Sequence, residues 1–273
     1  MPFRVPFRVA LASAFLLCAG LPAGAVQLAP HRATYALSLD GSEPAKRVDA
    51  AKGQIVYELR GNSCAGYSVQ LRQNTDLDTQ GGRLSSAIST ATWEDGSGSA
   101  YRFRVTNAVN GEVPEEADGV AERKGGKLVV KATEPEEATI QIPGNVLLPT
   151  QHVMEILSAA TRGDPILQAA VYDGSPDGRK VYDTLTVIGK GLTDENGLEA
   201  AAKSGELAGR TRYPVTISYY EHGGKSQTPD YIISFDLFDN GVSRALKLDY
   251  GDFALRGTLT SYEALPREEC PKN

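Results

Sequence analysis

Few residues in this 273-residue chain have both the type and the spacing to do chemistry, and the cysteines are the most informative of them. There are three, Cys18, Cys64 and Cys270. Cys18 lies in an N-terminal stretch that reads as an export signal. Arg4 and Arg8 form a positive head, Val9 to Leu21 is apolar but too short to anchor in a bilayer, and Ala23-Gly24-Ala25 is a small-x-small cleavage site. A lipoprotein cysteine would also sit near position 18, but it needs a small residue before it, and here that residue is Leu17. Cleavage after Ala25 leaves an even number of cysteines in an oxidising compartment, so Cys64 is expected to pair with Cys270, 206 positions away.

The other reactive residues form no constellation. His31, His152 and His222 are scattered singly, whereas a zinc site wants ligands one helical turn apart; a surface position is expected for His152. Asp173-Gly174-Ser175-Pro176-Asp177-Gly178 opens like a calcium loop but has Thr184 where the twelfth position needs a bidentate Glu, so a solvated turn is expected. Gly61-Asn62-Ser63-Cys64-Ala65 resembles a nucleophile elbow, but a strand-like segment follows it rather than a helix. Gly189-Lys190-Gly191 lacks the remainder of a phosphate-cradling loop. No catalytic group, metal or cofactor is expected. The sharper expectation is an apolar pocket lined by Trp93, the only tryptophan, with Tyr101, Phe103 and Met154.

The elements that would carry these residues are mostly strands. Tyr101, Phe103 and Val105 alternate with Arg102 and Arg104; Ile55, Tyr57 and Leu59, Val215, Ile217 and Tyr219, and Ile233, Phe235 and Leu237 repeat the period of two. Asp40-Gly41, Gly81-Gly82, Asn110-Gly111, Asp118-Gly119, Gly125-Gly126 and Asn240-Gly241 punctuate them as turns. The pattern predicts an all-β fold from residue 26 onward: one domain with a many-stranded antiparallel curled sheet, because a flat sheet of a dozen or more strands would leave edges that aggregate. One amphipathic helix is expected over 151–162, with Val153, Ile156, Leu157 and Ala160 on one stripe, Thr150 as its cap and Gly163 at its end. A further helical turn is expected near 196–203.

Charge narrows the function. The whole chain has a net charge of −6; without Arg4 and Arg8 it falls to −8. That opposes nucleic-acid binding, and nothing after the leader reaches the ~18 apolar residues of a membrane helix.

Several fragments together resemble the EipB family of cell-envelope-integrity proteins. They are His31–Leu39, Gly53–Tyr57, Cys64-Ala65-Gly66, Leu148–His152, Val171–Gly174, Pro229-Asp230-Tyr231, Asn240-Gly241-Val242, Leu248–Phe253 and the terminal Cys270. The resemblance covers most of the mature chain. It implies a periplasmic protein built as a single β-spiral, somewhat like lipoprotein carriers of the envelope, with a Cys64–Cys270 disulfide and a role in envelope integrity under stress without catalysis. The partner would be a lipid or hydrophobic peptide segment held inside the sheet. The alternative is a scaffold that binds envelope proteins and takes no small ligand.

Overall fold

The computed structural model describes residues 26–42, 45–174 and 178–270; the expected export signal, Cys18 and the middle of the expected turn over 173–178 lie outside them. In chain order the strands are β1 (His31–Leu39), β2 (Val48–Asn62), β3 (Gly66–Thr79), β4 (Gly82–Glu94), β5 (Ala100–Val109), β6 (Glu112–Lys124), β7 (Lys127–Glu134) and β8 (Ala138–Pro143). Helix α1 (Pro149–Arg162) then leads to β9 (Ile166–Tyr172), β10 (Val181–Ile188), β11 (Arg212–Glu221), β12 (Tyr231–Phe238), β13 (Ser243–Asp249) and β14 (Ala254–Ala264).

All fourteen strands form one antiparallel sheet in the order β8-β7-β6-β5-β4-β3-β2-β1-β14-β13-β12-β11-β10-β9. Each half is a meander of hairpins, and the two halves are joined by β1 pairing with β14. The expected curled all-β architecture is therefore observed, and the sheet is not closed. Its outer strands, β8 and β9, do not pair; residue Leu147 bridges the gap instead. The Leu147 N–H donates to the Ala170 carbonyl at 2.8 Å, and the Tyr172 N–H donates to the Leu147 carbonyl at 2.9 Å.

Period-two alternation decides which side chains point inward. Tyr101, Phe103 and Val105 are buried while Arg102 and Arg104 are exposed. Five of the six expected turns fall between strands; Asp118-Gly119 does not. Gly119 lies inside β6, where a Cβ would come within 2.7 Å of both the Lys131 carbonyl oxygen and the Phe103 ring. A glycine in a strand can mark close approach as well as a turn, and here it lets the strands crowd together around Phe103.

The helix begins two residues earlier than its periodicity predicts, at Pro149, whose missing N–H is no loss in a first turn. Gly163 ends it as expected, in the left-handed conformation at φ 81°. Thr150 does not cap it: it is a buried helical residue, and the cap comes from a distant strand, as described below. The segment near 196–203 gives 3-10 turns at Ala200–Lys203 and Gly205–Leu207. These are held against the sheet by two buried arginines. Arg244 donates to Glu199 at 2.5 Å, to Asp236 at 2.6 Å and to the Gly197 carbonyl at 2.6 Å, while Arg212 donates to Asp194 and Asp236 at 3.3 Å. Asp236 thus serves both guanidinium groups, which is what lets two cations stay buried.

Candidate functional site: an apolar cavity under helix α1

The concave face of the sheet is not filled. A cavity of about 460 Å³ lies between its two halves and α1. Its wall is a set of inward positions on paired strands: Ile55, Tyr57 and Leu59 on β2, with Val69, Leu71 and Gln73 opposite them on β3. Thr90 and Thr92 continue the same rows on β4, and Ile217, Ile233 and Phe235 line the far half. Pro149, Thr150, His152, Val153 and Ile156 close it from the helix side. Volume and lining are those of a pocket that can hold a small apolar molecule.

The helix is fastened at both ends. Toward its C-terminal end, Ile156, Leu157 and Ala159 are almost wholly buried and pack with Leu59, Tyr67 and Leu237. At its N-terminus Glu94, the last residue of β4, accepts the Thr150 N–H at 2.8 Å and the Gln151 N–H at 3.0 Å. Two first-turn donors with no partner within the helix are thereby satisfied by one carboxylate, which also sits at the positive end of the helix dipole. Gln151 in turn accepts from Arg123 at 2.9 Å and from the Leu148 N–H at 3.2 Å. Arg123 also donates to the Val146 and Gly98 carbonyls, at 2.6 and 2.8 Å. Gly98 has to be glycine: a Cβ there would fall 1.9 Å from the Gln151 side chain, and φ is +67°. Burial raises the Glu94 carboxyl to about 7, with the two backbone donors and Arg123 pulling the other way.

The four residues expected at the pocket are placed differently from one another. Tyr101 lines the cavity, its hydroxyl donating to the Asp173 carbonyl at 2.9 Å. Phe103 points to the same side but is covered. It is edge-on to Tyr172, and a Cβ on either Gly119 or Gly174 would lie within 2.7 Å of its ring. Trp93 faces outward, because β4 alternates and its neighbours Thr92 and Glu94 take the inward positions; the Arg102 guanidinium lies 5.3 Å above its ring. Met154 packs on the apolar cluster beside the helix, not on the cavity.

The histidines separate in the same way. His152 is buried rather than on the surface, lines the cavity, and is lowered to about 4 by desolvation. His31 is 1% exposed and also lines the cavity. His222 is exposed and 2.8 Å from Asp183. Sequence reasoning missed the inward roles of His31 and His152. A signal was available for both: His31 lies two residues before the inward Ala33 and four before Tyr35, and His152 lies one helical turn before Ile156 on the apolar stripe.

Cys64 and Cys270 are bonded. Cys64 lies in the β2–β3 turn, where Asn62 Oδ1 accepts the N–H groups of Cys64 and Ala65, both at 2.8 Å. Asn62 Nδ2 donates to the Glu268 carbonyl at 2.8 Å, so one side chain shapes the turn and receives the tail.

Fold and site together define an open β-spiral protein with an internal apolar cavity and a helix laid across it. The family model described as EipB-like matches residues 22–266. The chain belongs to the EipB-like family. It is 35% identical over 244 residues to the cell envelope integrity protein EipB of Brucella abortus (strain 2308), covering 88% of this chain and 86% of that one. It also superposes on the crystal structure of a β-barrel-like protein from Brucella abortus, titled as a domain of unknown function, with a TM-score of 0.81 and 33% identity. That match covers 89% of this chain and all of the other.

Proposed function

We propose that the chain is exported through residues 1–25 and acts in the periplasm as a non-catalytic envelope-integrity protein that shelters an apolar chain, from a lipid or a hydrophobic segment, in its spiral. The observation that carries the reading is the cavity of about 460 Å³, walled by inward aliphatic and aromatic side chains that the protein leaves unpacked. Protein interiors are normally close-packed, so an apolar void of this size costs stability unless something occupies it. The name of the Brucella abortus relative supports the envelope role, and the Cys64–Cys270 bond fits an oxidising compartment. Catalysis is not part of the proposal. His222 and Asp183 do meet, but both are about half exposed on the outside of the sheet, away from the cavity.

The test is to purify the protein from a periplasmic fraction under mild conditions, extract it with organic solvent and identify the extract by mass spectrometry. A lipid-class molecule recovered near one per protein is expected. A clean extract, together with no saturable binding of an uncharged fluorescent hydrophobic probe, would remove the cavity from the account.

A further inference from the structure

We infer that the cavity selects a single-chain lipid whose polar end is uncharged and carries a hydroxyl, with that hydroxyl donating to Nε2 of His31. The inference rests on the cavity-binding reading above and adds the class of ligand.

Charge comes first. Among the described residues the lining contains no lysine and no arginine, and its one formally charged side chain is Asp173. An anionic end drawn inside would meet no cation, and taking an ion into so apolar a site without a counter-charge is costly. A phosphate or carboxylate head is therefore disfavoured in the cavity.

Hydrogen bonding comes second. His31 Nδ1 lies 2.7 Å from the Ala29 carbonyl oxygen. A carbonyl only accepts, so Nδ1 carries the hydrogen and Nε2 keeps its lone pair. The ring is held between Tyr57 and Tyr262, with centroids at 5.5 and 6.2 Å. Among the described residues nothing donates to Nε2, although the residue is 1% exposed and lines the cavity. Desolvation lowers the imidazole's basicity and keeps it neutral. An acceptor with a free lone pair on a residue that lines an apolar cavity is the complement of an O–H group.

Size comes third. A methylene is close in size to a water, whose share of the liquid is about 30 Å³, so the cavity holds on the order of fifteen such groups. That is one acyl chain rather than two.

The experiment uses the purified protein loaded with N-phenyl-1-naphthylamine, an uncharged probe, and displaces it with eight-carbon competitors of matched chain, whose size fits the cavity. Monooctanoylglycerol should compete about ten-fold more tightly than octanoate at pH 8, than octanoyl lysophosphatidylglycerol, and than octyltrimethylammonium. Its di-O-methyl ether, which has no O–H donor, should lose about ten-fold, as expected for one buried hydrogen bond. In His31→Phe the probe should still bind, and the preference for monooctanoylglycerol over its ether should vanish. Octanoate or the cationic amphiphile competing equally well would overturn the inference, as would an ether as potent as the parent, which needs no variant to fold. Failure of the probe itself to bind would instead strike the cavity-binding reading and take the inference with it.

Discussion

At the residue scale, Glu94 and His152 sit on either side of the same helix start and titrate in opposite senses. The Glu94 carboxyl is raised from 4.5 to about 7, so the folded protein holds that proton more tightly than the unfolded chain does. Its contribution is present at low pH and is lost as pH rises from about 4.5 to about 7, a change of about 3 kcal/mol. His152 is lowered from 6.5 to about 4, so the unfolded chain holds its proton more tightly, and stability falls by a similar amount as pH drops through that window. Over most of pH 4.5–6.5 the two slopes oppose. Glu94→Gln should remove the first and leave a stability that climbs more steeply with pH than the wild type; His152→Leu should do the reverse. Thermal melts at half-unit steps from pH 4.5 to 8 check both, and parallel curves for all three proteins would refute the assignment. The role of Glu94 was not legible from sequence. The carboxylate caps a helix 56 residues away, and no local pattern announces a cap delivered from another element.

At the element scale, strands were legible because alternation is a local property, and the helix because its stripe has a period of its own. What alternation leaves open is which of two faces is concave. Trp93 was misassigned for that reason: its row is settled by the pairing of β3, β4 and β5 and by Glu94 turning inward, not by its size. Interior glycines carried a second ambiguity. Gly53 in β2 resembles Gly119: a Cβ there would stand 2.2 Å from the Asn74 carbonyl oxygen across the β2–β3 pair. Gly53→Val should therefore force the two strands apart beside the cavity and lower the melting temperature well beyond the effect of Lys52→Val, its exposed neighbour. Equal effects would show that the close approach is not required. The disulfide acts on the same scale, tying the β2–β3 turn to the tail beyond β14. Closing a loop of 206 positions stabilises by up to about 5 kcal/mol in the chain-entropy picture. Reductant and Cys64→Ser should each lower the melting temperature, with no further loss when combined. Melting unchanged by reductant would contradict this.

At the scale of the whole molecule, fourteen strands in one unclosed sheet must curl, and the curl decides what the protein can do. The paired central strands β1 and β14 bring the two ends of the described chain together, while the outer strands are linked through the Leu147 bridge and share one buried apolar cluster that includes Ile142 and Tyr172. The interior is thus bounded by a sheet on most sides and by α1 on the rest. The amphipathic stripe predicted from sequence lies on the sheet, with the cavity beneath its first turns. The cavity's existence, unlike the curl, could not be deduced from composition, since inward apolar residues look the same whether they touch one another or surround a space.

The most direct test of that space is to fill it. Val69 packs at the edge of the apolar cluster beside the helix, lines the cavity from β3 and is only partly buried, so Val69→Trp extends an indole into existing room. Titration of an uncharged hydrophobic probe into wild type and variant, with thermal melts alongside, gives the answer. One saturable site is expected in the wild type, and its loss in a Val69→Trp protein that melts at or above the wild-type temperature. Undiminished binding by that folded variant would contradict it.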